Sequence, residues 1–294
     1  MRVRAPDGAN LRAARWLPGA ARGTVLLMQG RSEYIEKYFE TIGDLLARGF
    51  AVLTFDWRGQ GGSDRALRDP RKGHVEDFDD YRRDLLSVID DAMTPCPEPW
   101  FGLAHSMGGA IALDVARRGD LPLRRLVLSA PMIDIHGLDA TGGAARALAR
   151  TLDFLGLGDA YAPGGGGRRS ARPGPFEDNP LTGDERRYAR MVDALAAAPE
   201  LSIGGPTIAW LSAAFARIDA LADPAFAPSV RMPTLALTAG DERIVSTRAT
   251  ERFMARMKTG AAVALPGARH EILMERDAVR AKALAAFDAF IPGG

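Results

Sequence analysis

Cysteine is nearly absent. The 294 residues include one, Cys96, so neither an intramolecular disulfide nor a cysteine-based zinc cluster is available, and the chain suits a reducing compartment. An excess of charge of one sign is equally lacking: Lys+Arg 38 stand against Asp+Glu 37, a formal net charge of +1. That balance supplies no overall field for a nucleic-acid backbone or an anionic bilayer, and nucleic acid is not an expected partner. Long hydrophobic runs are missing too. The longest uncharged apolar stretch, Leu201 to Ala216, is interrupted by Gly204-Gly205-Pro206 and is shorter than the ~20 residues a spanning helix needs. The opening Met1-Arg2-Val3-Arg4-Ala5-Pro6-Asp7-Gly8 is charged, without the apolar core of a signal peptide, so a cytoplasmic protein is expected. No metal or nucleotide motif occurs, and no cofactor is expected. What the chain does have is 47% hydrophobic residues, enough for a sizeable core and too many for intrinsic disorder.

Two kinds of segment alternate. Short β-rich runs at Thr24 to Met28, Phe50 to Phe55, Leu126 to Leu128 and Thr234 to Thr238 are separated by stretches of helical period such as Tyr34 to Arg48 and Asp77 to Met93. Strands apolar on both faces and separated by helices imply a mostly parallel sheet flanked by helices, an open α/β fold. Chemistry in such sheets collects in loops at the carboxyl ends of the strands. The alternation stops after Ser129-Ala130-Pro131 and resumes at Met232-Pro233-Thr234. We therefore expect a core of residues 1–132 and 231–294 and a helical cap insertion over 133–230, its Gly164 to Gly167 tract a mobile loop.

Trp100 to Ala104 reads as a strand and Gly108 to about Arg118 as a helix, with Ala104-His105-Ser106-Met107-Gly108-Gly109 between them. This is the strand-turn-helix setting in which a strained turn exposes a serine hydroxyl while small neighbours avoid collision. Ala104 stands where the usual pattern has glycine. A serine hydroxyl needs a base, and the base an orienting acid. Of the four histidines, His74, His105, His136 and His270, His270 follows a late short strand and precedes the last helix, where a base belongs in the order serine, acid, histidine. Asp241 is the expected acid, at the end of the run Leu235 to Gly240 and ahead of Ser246-Thr247 as helix caps. The adjacent Glu242 stays open on pattern alone.

The residues just described, with Gly30-Arg31-Ser32-Glu33-Tyr34-Ile35-Glu36-Lys37-Tyr38, Asp56 to Ser63, Gly73-His74-Val75, Ala239 to Ser246 and Ala268 to Leu273, resemble the α/β-hydrolase superfamily. Within it they are similar to the branch of bacterial lysophospholipases and monoacylglycerol lipases, grouped with the serine aminopeptidase-like hydrolases. Asn179 to Thr182 and Gly204 to Thr207 extend the likeness into the insertion. The resemblance implies Ser106 as nucleophile, Asp241 as acid and His270 as base. It also implies an oxyanion hole of two backbone N–H groups, those of Arg31 and Met107. Relatives often carry His-Gly where this chain has Gln29-Gly30.

These features imply a serine hydrolase of carboxylic esters working through an acyl-enzyme, with lysophospholipid or monoacylglycerol as the substrate that the resemblance suggests. The alternatives are a short-chain carboxylesterase, a peptidase or amidase, and a non-catalytic binding protein. Trp210 and Phe215 in the insertion are expected to wall the acyl chain, and His74 to pack, cap or line the pocket entrance. A small-molecule or lipid ester is the expected partner, with transient membrane-surface contact through the cap. The oligomeric state is not legible.

Overall fold

A computed structural model describes residues 1–137, 142–164, 166 and 174–292. Six strands form the expected parallel array: β3 (Thr24–Met28), β4 (Ala51–Phe55), β5 (Trp100–His105), β6 (Arg125–Ser129), β7 (Thr234–Ala239) and β8 (Gly260–Leu265). Two more, β1 (Arg2–Arg4) and β2 (Asn10–Trp16), join antiparallel, and the order across the sheet is β1-β2-β4-β3-β5-β6-β7-β8. These two were not anticipated. Charged residues interrupt their apolar character, yet Leu11 and Ala13 are buried while Asn10 is exposed and Arg12 and Arg15 are not buried, the period-2 signature of an antiparallel strand with one covered face.

The central strands are buried on both faces because helices cover both. The helices of the core are α1 (Phe39–Ala47), α2 (Phe78–Val88), α3 (Met107–Arg118), α8 (Thr247–Arg256) and α9 (Asp277–Phe290). Their starts are chemically marked: Asp77 accepts the Asp79 N–H, and Ser246, as expected, accepts the Ala249 N–H. Register aligns the carboxyl ends of β3, β4, β5 and β6, with Met28 opposite both Phe55 and Ala104, and His105 opposite Ser129. The loops that follow these strands therefore open on one edge of the sheet.

Between β6 and β7 lie α4 (Gly142–Leu152), α5 (Glu185–Ala197), α6 (Ile208–Ala222) and the short α7 (Phe226–Ser229), with no strand among the described residues beyond isolated bridges. The Gly164 to Gly167 tract lies partly outside the described residues. The insertion is not free of the core: Trp210, Ala214, Leu221, Phe226 and Val230 are buried in the same apolar cluster as the sheet. A second, small cluster joins Ala149 of α4 to Phe215 and Ile218 of α6. At the other end, the Arg187 guanidinium of α5 pairs with Glu40 of α1 and Asp277 of α9. Among the described residues no helix is long and apolar enough to cross a membrane.

One of the tight backbone approaches in the fold is α3 against the end of β3. A Cβ added at Gly108 would meet the Gln29 carbonyl oxygen at 2.5 Å and that of Met28 at 2.7 Å, both backbone atoms with little room to move. Gly108→Ala should therefore lower unfolding free energy by about 1–3 kcal/mol, as overpacking does elsewhere. Urea denaturation followed by tryptophan fluorescence checks this, and an unchanged midpoint would contradict the close approach.

Candidate active site

The chain leaves β5, turns at Ser106 and enters α3 at Met107. Ser106 sits at φ +49° and ψ −115°, a region that non-glycine residues rarely occupy and that persists only where the surroundings hold it. Its N–H donates to the Ser129 carbonyl at 3.0 Å, and its own carbonyl accepts from Gly109, Ala110 and Met132. Ala104, at the position where glycine is usual, is fully buried and accommodated. A Cβ at Gly30 would approach the Ser106 Cβ to 3.2 Å, which places the loop after β3 directly against the serine.

His270 Nε2 lies 3.0 Å from Ser106 Oγ, and its Nδ1 lies 2.8 Å from Glu242 Oε2. An ionised carboxylate only accepts, so Nδ1 carries the proton; in the neutral ring Nε2 then offers its lone pair to the serine hydroxyl. The carboxylate that meets His270 is thus Glu242, where the sequence reading expected Asp241. The Asp241 side chain is 45% exposed, beside Arg243 and Arg269, whereas that of Glu242 is 3% exposed. The reason is the turn: Asp241 donates its N–H to the Ala268 carbonyl at 2.8 Å, continuing the line of β7, so its side chain faces outward and the next one inward. Glu242 Oε1 accepts from the N–H groups of Arg243, Ile244 and Val245. Burial would raise the Glu242 carboxyl, but the hydrogen bond and charge of His270 with these N–H groups outweigh it, and it stays below the ordinary carboxylate range.

Arg31 and Met107 carry the two backbone N–H groups named as oxyanion donors. Among the described residues, neither N–H has a hydrogen-bond acceptor within the chain. Their surroundings are held from several sides. Gln60 Nε2 donates to the Gly30 and Glu33 carbonyls, and Gln60 Oε1 accepts from the Ser32 N–H. The Gln29 carbonyl accepts from Trp57 Nε1 at 2.8 Å, while its side-chain amide reaches Asp56 Oδ1 at 3.3 Å. Gln29 therefore anchors the loop through Asp56, which also takes Arg12, Ile35 and Gly62. Gln60 escaped the reading of the sequence as a site residue, although it lies inside the Asp56 to Ser63 motif.

His105 adjoins the serine but points elsewhere. Its Nδ1 lies 2.9 Å from the Ser129 carbonyl, which only accepts, so Nδ1 donates. Burial lowers its pKa to about 4, against the opposing charge of Glu33, so the ring is neutral near pH 7. His74 is buried with Nδ1 3.0 Å from Thr207 Oγ1, a link between the core and the start of α6. Trp210 donates Nε1 to Tyr81 Oη and packs on Phe78, and Phe215 is spent against Ala149 and Ile218 beneath Arg146. The expected acyl wall at Trp210 and Phe215 is corrected accordingly: both are packing residues of α6. A cavity of about 370 Å³ beside Arg31, Glu33, Lys37 and Glu271 is walled instead by Leu181, Tyr188, Met191 and Leu195.

The arrangement matches known proteins along most of its length. The family described as serine aminopeptidase, S33, matches residues 19–277. Lysophospholipase L2 of Escherichia coli (strain K12) is 36% identical over 277 residues, covering 90% of this chain and 79% of that protein. A probable lysophospholipase L2 of Haemophilus influenzae is 32% identical over 92% of this chain and 84% of its own. Among solved structures, a soluble variant of monoglyceride lipase from Saccharomyces cerevisiae, in complex with a substrate analog, superposes with a TM-score of 0.76 at 21% identity, covering 98% of this chain and 94% of that one; the shared architecture is that of α/β-hydrolase lipases and esterases.

The geometry ranks the two neighbouring acids. Glu242→Gln should cut turnover by ~10³–10⁴-fold, because the amide cannot hold the required tautomer or stabilise the imidazolium, while Asp241→Asn stays within about threefold of wild type, as expected for an exposed carboxylate. Steady-state ester hydrolysis by the two purified variants decides it, and the reverse order would return the role to Asp241.

Proposed function

The chain belongs to the serine aminopeptidase S33 family of α/β hydrolases, and from that premise we propose that it is a serine hydrolase of carboxylic esters, acting on lysophospholipids and monoacylglycerols. The observation that carries the reading is the line Glu242–His270–Ser106, with contacts of 2.8 and 3.0 Å, beside two unspent backbone N–H groups. Ser106 Oγ attacks the ester carbonyl as His270 Nε2 takes its proton. The Arg31 and Met107 N–H groups receive the negative oxygen of the tetrahedral intermediate, and Glu242 stabilises the imidazolium. Collapse passes the proton to the departing alcohol and leaves an acyl-Ser106. Water, deprotonated by His270, then releases the fatty acid and restores the serine.

Residues 133–230 serve in this reading as the cap over the core, and the 370 Å³ cavity, lined by Arg31 and by Glu271, the neighbour of the base, as room for the substrate. The exposed apolar group Leu148, Phe154, Leu155 and Leu157, with Phe154 at 91% exposure, gives the cap a surface suited to lipid aggregates. One observation favours a phosphoryl headgroup. The Arg31 guanidinium lies over the Trp210 ring, with Nη1 donating to Ser32 Oγ and Nη2 to the Gly204 carbonyl, yet its Nε has no acceptor and no carboxylate pairs with it among the described residues. Burial without a matching charge lowers its pKa to about 10, and an anionic phosphodiester would supply the missing partner.

A panel of 1-acyl lysophosphatidylcholine, monoacylglycerol with the same chain, and an aminoacyl amide tests the assignment, with Ser106→Ala and a fluorophosphonate probe as controls. Wild type should label at Ser106 and cleave both esters, leaving the amide intact; Ser106→Ala should lose at least ~10⁴-fold. Arg31→Gln keeps the backbone N–H and should lower kcat/KM for the lysophospholipid by ~10-fold or more while sparing the monoacylglycerol, the worth of one charge-assisted hydrogen bond. Cleavage of the amide alone would overturn the ester reading.

A further inference from the structure

The motif Ser32 to Tyr38 is only partly used by this mechanism, yet it contributes the most concentrated buried charge near the serine. The Glu33 carboxylate accepts three hydrogen bonds, from the Gly30 N–H, from Tyr38 Oη at 2.6 Å and from Lys37 Nζ at 2.8 Å. Lys37 Nζ also donates to Glu271 Oε1 at 2.5 Å. All three ionic side chains are buried, with Lys37 at 5% exposure. Gly30 immediately precedes the oxyanion donor Arg31, and Glu271 immediately follows the base His270. One ammonium thus joins the two loops that must be in register for the reaction, a charged link beside the contacts that both loops make with His105 and Ser106.

We propose that Lys37 is a positioning residue: bridging Glu33 to Glu271, it holds the oxyanion loop and the base loop in one frame, so that the Arg31 N–H and His270 Nε2 address the same carbonyl. The inference rests on the ester-hydrolase reading above. The physics is that of a buried ion pair, where removing one partner leaves uncompensated charge rather than a neutral gap. Without Lys37 the two carboxylates would face each other in a site that already disfavours charge. Burial raises Glu271, while at Glu33 the charge of Lys37 and the hydrogen bonds from Lys37 and Tyr38 outweigh burial and hold the carboxyl well below its ordinary range. The other titratable groups that face the pair are His270, Tyr34 and Tyr188, and among these groups Lys37 is the one fixed cation. One carboxyl would take up a proton, the acceptor for the Gly30 N–H would weaken, and the oxyanion donor would lose its support.

Lys37→Met, Lys37→Arg and Glu271→Gln are compared with wild type on the ester that wild type cleaves best, with kcat, KM and the pH profile measured for each and folding checked by thermal unfolding. Lys37→Met should lose ~10²-fold in kcat, the scale of one oxyanion donor, with KM within about threefold. Its acid limb should move to higher pH, since a buried carboxyl freed of its cation protonates sooner. Lys37→Arg should recover most of kcat and the original limb. Glu271→Gln, which keeps the Lys37–Glu33 contact but weakens the tie of the ammonium to the base loop, should cost about tenfold in kcat with KM within about threefold. If Lys37→Met fails to fold, the loss of kcat at unchanged KM in Glu271→Gln still decides. A role in stability alone is the outcome if melting temperature falls while kcat and both limbs stay put, or if arginine restores no more than methionine, and either result overturns the proposal. Absence of ester turnover in wild type would instead defeat the functional reading on which it stands.

Discussion

The strained turn at Ser106 is the constraint from which the rest of the site follows. Holding a serine at φ +49° costs conformational energy that the surroundings must offset, and they do so through backbone contacts to β6 and to the first turn of α3. The geometry also draws three backbones together, those of β3, β5 and α3, closer than side chains permit. Glycine at 108 answers the carbonyls of Met28 and Gln29; glycine at 30 answers the serine and His105. In the same loop and turn, the Arg31 and Met107 N–H groups have no acceptor of their own among the described residues. Strain, small residues and unspent donors are one feature seen from three sides.

Around that turn, burial of charge does the work that burial of apolar side chains does in the sheet. Asp56 gathers Arg12, Gln29 and two backbone N–H groups, and Glu242 gathers His270 and three. The loops after β3 and β4 and the loop after β7 are thus each fixed by a carboxylate with several partners. Such pairs add little to net stability after desolvation, but a buried ion with one defined set of partners admits few alternative loop conformations. The site consequently owes its shape to hydrogen-bond accounting as much as to packing.

The insertion is coupled to the core rather than perched on it. Helix α6 contributes Trp210, Ala214 and Leu221 to the main apolar cluster and receives His74 at its N-terminal Thr207, while α5 is tied by Arg187 to α1 and α9. The segment is thus held to the core at both ends. Among its described residues, the helical turn around Phe154 and Leu155 packs on α4 and α6 by its backbone while its large apolar side chains meet solvent.

The alternation of two-faced apolar strands with helices determined the sheet, and small residues around a serine between a strand and a helix determined the nucleophilic turn. His270 followed from its place behind the last strand, because these are local patterns with a fixed period or spacing. The antiparallel pair β1–β2 was legible in the alternation at Leu11 and Ala13 but masked by its arginines. The choice between Asp241 and Glu242 was not legible at all. Adjacent acids differ only in which way the turn points them, and that direction is set by the Asp241 N–H meeting the Ala268 carbonyl, a contact across 27 positions. The fate of Trp210 and Phe215 was likewise hidden, since an apolar side chain reads the same whether it walls a cavity or fills a core. Only the tertiary structure decided these matters, because each depends on which distant backbone or side chain occupies the neighbouring space.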